Sequence, residues 1–204
     1  MKKLLLILFC LPIFVLSQTF VSTNPENKKV VLEEFTGIYC GFCPDGHVLG
    51  QALHTAYPND VFLINIHAGG YANPNGPSDP DFKTVYGGAI DAASGLAGYP
   101  AGTVNRHNFP GLEQGSSGAT AMSRNNWSTA AAQILTETSP VNVATQASVD
   151  LTTGLITVDV EVYFTGTQAI SSNFLRCLRI PLVPKGCPLP VAISLLPQNR
   201  IGDG

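Results

Sequence analysis

The 204-residue chain lacks any apolar run long enough to cross a bilayer as a helix. The run from Leu4 to Leu16 is 13 residues, against the roughly 20 that a membrane-spanning helix needs. Lys2 and Lys3 precede it and Val15-Leu16-Ser17 closes it, the layout of a secretory signal. Residues 1–17 are therefore expected to be removed, leaving a mature chain that starts near Gln18 and is soluble or peripherally attached. Cys10 is a poor lipidation site, because bulky Phe9 precedes it and the apolar run continues beyond it.

Positive charge is also scarce. Between residues 18 and 173 five basic residues (Lys28, Lys29, Lys83, Arg106, Arg124) face 13 acidic ones, a net of −8. Such a surface excludes a nucleic-acid partner, whose phosphates need a basic face. No cofactor signature is present either. The Gly69-Gly70 loop fits no phosphate-binding pattern, so no cofactor is expected. His54 and His107 carry no signal. Asn126-Trp127-Ser128 matches a glycosylation acceptor, a short and weak pattern.

What the chain does have is Cys40-Gly41-Phe42-Cys43. A β-type run over 30–35 precedes it and a helix-type run from Pro44 to Ala56 follows. A strand, a short loop and Cys-x-x-Cys at a helix start is the layout of a thioredoxin-like redox site. Helix N-terminal N–H groups stabilise a thiolate, the species that attacks disulfides. Of the five cysteines, Cys10 leaves with the signal, and Cys40, Cys43, Cys177 and Cys187 remain. In an exported chain disulfides persist, so Cys40–Cys43 is expected to rest oxidised. A structural framework of four cysteines is the alternative, although a Cys-x-x-Cys loop is too small to stabilise much by chain entropy.

The periodicity predicts a strand–helix–strand unit, with Val48, Leu49, Ala52, Leu53 and Ala56 as the inward helical face. Pro44 and Asp45 suit a first helical turn. Residues 61–66 read as a second strand buried on both faces, as in a parallel sheet. Residues 68–80 read as loop, and a helix is predicted from Asp81 to about Leu96, interrupted at Gly87-Gly88. Residues 108–123 show no clear strand. A helix over 125–138 carries Trp127, Ala131, Ile134 and Leu135 as its stripe. Beyond Ser139-Pro140, runs 141–150 and 155–164 alternate around Thr152-Thr153-Gly154 as a β-hairpin.

The expected fold class is α/β: a signal segment at 1–17, a thioredoxin-like domain at 25–138, and the start of an antiparallel β-sandwich-like domain at 140–173. Residues 174–204 differ in character, with five prolines, two cysteines and reversed charge. They read as a truncated or out-of-frame tail after a third strand that does not continue, or as a proline-rich tail pinned by Cys177–Cys187.

Cys40 is the expected nucleophile and Cys43 the resolving thiol. Glu34 resembles the buried acid that thioredoxins place under the cysteine pair, where burial raises a carboxyl pKa and permits proton relay to Cys43. The alternative has Glu33 facing inward and Glu34 outward. Pro100 stands where thioredoxin-like folds carry a cis-proline beside the cysteines. Tyr99 would offer its backbone to an extended substrate, and Tyr99 and Tyr39 would add apolar contact area. His47, four residues after Cys43, and His67 sketch a Cys-Cys-His-His metal site, but the spacing is not that of a zinc finger, so no metal is expected and His47 reads as a capping or packing residue.

Glu33-Glu34-Phe35-Thr36-Gly37-x-x-Cys40-x-x-Cys43-Pro44-x-Gly46-His47 and Gly98-Tyr99-Pro100-x-Gly102-x-x-Asn105-Arg106 together resemble the outer-membrane-protein-28-related family of thioredoxin-like bacterial proteins, chiefly from Bacteroidetes. The similarity covers roughly Lys29 to Phe164. It implies an N-terminal thioredoxin-like domain, a C-terminal β-domain and an envelope or surface location. Two functions are expected. One is envelope thiol–disulfide exchange with exported protein thiols or disulfides through Cys40 and Cys43. The other is a non-enzymatic module that binds an outer-membrane or surface partner and keeps the disulfide as a staple.

Overall fold

β1 (Val30–Thr36) is the strand around which the fold is organised, because it pairs on both sides. The computed structural model describes residues 20–166 and the backbone of 176–181. Within it, β1 runs parallel to β2 (Val61–His67) and antiparallel to β3 (Ala101–Val104), which pairs with the two-residue β4 (Met122–Ser123). The order β2-β1-β3-β4 makes a four-stranded mixed sheet. Helices α1 (Cys43–Ala56), α2 (Val85–Ser94) and α3 (Trp127–Thr136) cover its two faces.

On one face Val30, Leu32, Val61 and Val104 pack with Leu53 of α1 and with Trp127, Ala130, Ala131 and Ile134 of α3. On the other, Phe35, Ile66 and Ala101 pack with Ile90 of α2 and with Leu96 and Tyr99. The α3 stripe lies where periodicity puts it, although the helix is shorter than expected and a 3₁₀ turn, Arg124–Asn126, leads into it. Asn126 of the glycosylation pattern donates its side-chain N–H to Leu112 O at 3.1 Å.

Of the predicted inward face of α1 only Leu53 is buried. Cys43, Gly46, Gly50 and Leu53 are buried, whereas Val48 is 67% exposed. Hydropathy misreads this helix because glycines, not large apolar residues, bring it close to the sheet. A Cβ on Gly46 would stand 2.6 Å from Glu34 Oε1 and 3.2 Å from Pro100. β2 also departs from expectation, since Phe62 and Ile64 are exposed. It is an edge strand of the described sheet, and α2 reaches it at Ile66 through Gly87.

α2 begins later than predicted, at Val85, because Thr84 is its N-cap and accepts the Gly87 N–H at 2.9 Å. Gly87-Gly88 thus lies near the helix start and does not interrupt the helix. Gly95, at φ +70°, ends it in the left-handed region. The expected loop at 68–80 contains a 3₁₀ turn, Gly70–Ala72.

The chain divides into two units, Glu26–Ser139 and the chain on either side of it. The ends of the first unit are tied together. Asn27 bridges Thr138, Lys28 N–H donates to Glu137 O, and Ser139 N–H donates to Glu26 O. In the second unit β5 (Val141–Asp150) and β6 (Leu155–Phe164) form the predicted hairpin, with Gly154 at φ +67° in its turn. The chain does continue into a third strand: β7 (Arg176–Pro181) pairs antiparallel with β6. Residues 20–24 belong to this unit as well. Buried Glu161 accepts the N–H groups of Phe20 and Val21, and buried Asn142 donates to Ser22 O and Asn24 O. The signal segment, its cleavage site, Cys10 and Cys187 lie outside the described residues.

Candidate functional site

Cys40 and Cys43 are joined as a disulfide, with Cα atoms 5.4 Å apart. The chain reaches them from the end of β1 through Gly37, whose N-terminal side is fixed by strand pairing. Cys40 N–H donates to Gly37 O at 3.1 Å and Tyr39 N–H to Tyr71 O at 3.0 Å. A Cβ on Gly37 would fall 2.4 Å from the Tyr71 carbonyl carbon, so only glycine lets the 70–72 turn close over this loop. Cys43 is the first residue of α1, Pro44 occupies the first turn, and Asp45 adds a carboxylate there. Cys40 is 7% exposed and Cys43 1%, while neighbouring Phe42 is 71% exposed.

Glu34 lies beneath that turn, 4% exposed, on the sheet face shared with Val30 and Leu32. Glu33 is buried as well, on the opposite face, so both carboxyls are turned away from solvent and the alternative of an outward Glu34 does not hold. There Arg106 grips Glu33 with two hydrogen bonds of 2.7 and 2.5 Å, a bidentate pair that neutralises a carboxylate sealed from water. Asn105 and Arg106 both adopt positive φ, 52° and 49°. Asn105 uses the bend to accept Val31 N–H and donate to Lys29 O, finishing the β1 edge beyond β3. Both roles depend on contacts some 73 residues apart in sequence.

Glu34 has a partner that sequence reasoning assigned elsewhere. His47 Nδ1 stands 3.0 Å from Glu34 Oε2, and its Nε2 is 3.4 Å from Thr36 Oγ1. The signal was present, since position 47 falls one turn beyond Cys43 on the same side of α1. Glu34 Oε1 is buried with no hydrogen-bond partner among the described residues, against Gly46. Burial pushes the Glu34 carboxyl above its usual range, and the His47 hydrogen bond and charge pull it partly back. His67, at the end of β2 opposite Thr36, has a buried Nδ1 without a hydrogen-bond partner among the described residues. It is held below the usual histidine range by burial first and by His47 second. Among the described residues no group of three or more His, Cys, Asp or Glu side chains could hold a metal.

The Glu34 shift carries a stability consequence. An unfolded glutamate ionises near 4.5, the folded one at higher pH. Between those points the folded chain keeps a proton the unfolded chain has lost, so stability falls as pH rises through that interval and stays lower above it. Glu34→Gln removes the ionisable group. It is expected to unfold at higher urea than the parent at about pH 8, with the gap closing toward pH 4. The single tryptophan, Trp127, reports this unit by fluorescence.

The Tyr99–Pro100 bond is cis, and Pro100 is fully buried against the Gly46 turn. Tyr99 is half-buried. Its hydroxyl donates to Asp91 Oδ1 at 2.7 Å, and its ring meets Tyr71 edge-on at 5.9 Å. The ring thus ties α2 to the 70–72 turn, and burial with the Asp91 bond raises its hydroxyl pKa. Tyr39, 45% exposed, donates its hydroxyl to Asp79. Tyr39, Phe42, Val48 and Tyr71 leave an exposed apolar rim on the loop, helix and turn that carry or cover the disulfide.

A mixed sheet with Cys-x-x-Cys at the start of a packed helix and a cis-proline beside it defines a thioredoxin-like α/β fold, here followed by a second unit. No family model and no curated protein matches the chain. Among solved structures it is similar to HBP35 of Porphyromonas gingivalis, with a TM-score of 0.50 and 22% identity over 72% of this chain and 46% of that one. The chain thus spans under half the length of that protein, and the likeness is one of fold.

Proposed function

We propose that this protein is a thiol–disulfide exchange protein of the cell envelope, working on exported protein thiols or disulfides through Cys40 and Cys43. The observation that carries the reading is the disulfide at the start of α1 above a buried carboxyl, Glu34. A thiolate at Cys40 would gain from the helix N-terminus, and Glu34 would take or return the Cys43 proton. Pro100 and the Tyr99 backbone would receive an extended substrate, with the apolar rim adding contact. The signal-like N-terminus supports export to the periplasm, outer membrane or cell surface. The two motifs support membership of the outer-membrane-protein-28-related group.

A second reading is favoured by one feature, the near-complete burial of both cysteines in a chain with an appended β-sheet. It makes the protein a surface-binding module with a structural disulfide. Alkylation of the reduced protein against pH separates the two. Exchange chemistry expects one cysteine, Cys40, to react through a thiolate well below the ordinary cysteine range near 8.5. Ordinary titration of both thiols, with unchanged folding and partner binding in the Cys40→Ser, Cys43→Ser double variant, would establish the module instead.

A further inference from the structure

We propose that His47 is a positioning residue that connects the buried Glu34 carboxyl to solvent, so that protons reach and leave the Cys43 side of the site through its imidazole. The inference rests on the exchange reading above and deepens it. Among the described residues His47 is the hydrogen-bond partner of the Glu34 side chain. Its Oε1 faces Gly46 without a hydrogen-bond partner among the described residues, and its Oε2 meets His47 Nδ1 at 3.0 Å. The Glu34 side chain is 5% exposed, whereas that of His47 is 41% exposed. The two ring nitrogens face different groups. Nδ1 meets the carboxyl, and Nε2 lies 3.4 Å from the buried hydroxyl of Thr36. An imidazole can take a proton on one nitrogen while releasing one from the other, which an amide or a lysine cannot do.

With a substrate disulfide held as a mixed disulfide on Cys40, Cys43 gives its proton to Glu34, and the resulting thiolate attacks the Cys40 sulfur. The Cys40–substrate bond breaks as the Cys40–Cys43 bond forms, and the substrate leaves as a thiolate that takes a proton from water. The protein dithiol loses two electrons and the substrate disulfide gains them. Glu34 is left protonated. It resets by passing that proton to His47 Nδ1 as Nε2, beside the Thr36 hydroxyl, gives one up, and water at the exposed side of the His47 side chain carries it away. The reverse direction uses the same path. Among the described residues the groups around the pair are His67 from β2, Asp45 in the first turn of α1, which Arg124 holds, and Cys40 and Cys43, which ionise only once their disulfide is reduced.

The test measures exchange with dithiothreitol on the full chain against pH, for the parent, His47→Gln and His47→Phe. The proposal expects the two variants to slow by about tenfold or more, less than the hundredfold that loss of a direct general base costs. It also expects added imidazole to restore the rate in a concentration-dependent way, which a merely structural loss would not allow. In parallel, carbon NMR of the Glu34 carboxyl in the oxidised protein should show its titration moving further upward in His47→Gln, because the His47 bond is what lowers it. Unchanged rates without imidazole dependence in a folded variant would overturn the proposal, as would an unmoved Glu34 titration. A parent protein that fails to exchange at all, with the Glu34 titration coupled to His47 as expected, would overturn the exchange reading and the relay with it while leaving the pairing intact.

Discussion

On the proposed exchange reading, Cys43→Ser should turn the protein into a trap. Serine cannot attack the mixed disulfide on Cys40, so a substrate captured there stays covalently bound. Multiple turnover is expected to fall to background, and a stoichiometric adduct should accumulate that dithiothreitol releases. Near-isosteric serine fits the buried position of Cys43, 1% exposed, so loss of folding is not the expected cause. Since Cys177 and Cys187 are also present, the adduct must vanish in the Cys40→Ser, Cys43→Ser double variant. An adduct that persists there would place the reactive thiol outside the α1 site and remove the basis of the exchange reading.

Trp127→Ala should produce the largest loss of stability, about 3–5 kcal/mol for the thioredoxin-like unit. Trp127 is 1% exposed and lies against β3, where a Cβ on Gly102 would meet its indole nitrogen at 2.8 Å. The void left by alanine spans the contact of α3 with β1 and β3, and backbone around it cannot collapse without breaking sheet pairing. Met122 O also loses the indole N–H it accepts at 3.3 Å. For a domain of ordinary stability, around 5–15 kcal/mol, that is a large fraction. Thermal unfolding followed by circular dichroism reads it. Trp127→Phe keeps most of the volume and should cost about 1–2 kcal/mol. Equal losses for the two would mean that the indole hydrogen bond, not packing, dominates.

How much of this was legible in the chain depends on whether the information was local. The Cys-x-x-Cys turn, the helix stripe of Trp127, Ala131 and Ile134, and the hairpin 141–150/155–164 are written in neighbouring residues, and each appears where the pattern puts it. The α1 face was misread because its inward positions, Gly46 and Gly50, have no hydropathy to read. Gly46 is small because the Glu34 side chain and Pro100 lie directly below it, whereas a Cβ on Gly50 would meet Leu32 and Glu34 at ordinary contact distances. Exposure of Phe62 and Ile64 follows from strand order, which periodicity does not contain. The bidentate Glu33–Arg106 pair, the Asn105 brace and the hold of Glu161 on Phe20 and Val21 join residues 73 to 141 positions apart. In the site, Glu34 and Pro100 could be placed by their distance from the cysteines. The pairing of Glu34 with His47 needed the helix and the strand together.

The ladder at 27–28 and 137–139 gives the thioredoxin-like unit a mechanical character. Tension applied at Glu26 and Ser139 pulls two antiparallel segments apart from the same end, so it loads their hydrogen bonds one at a time, as in opening a zipper. Sequential rupture of this kind yields at lower force than shearing a strand along its length. The first bonds to give way belong to a seam at residues 26–28 and 137–139, with the whole of β1 between it and Cys40. A molecule tugged at these two points would slacken by a few residues while the disulfide turn stayed folded.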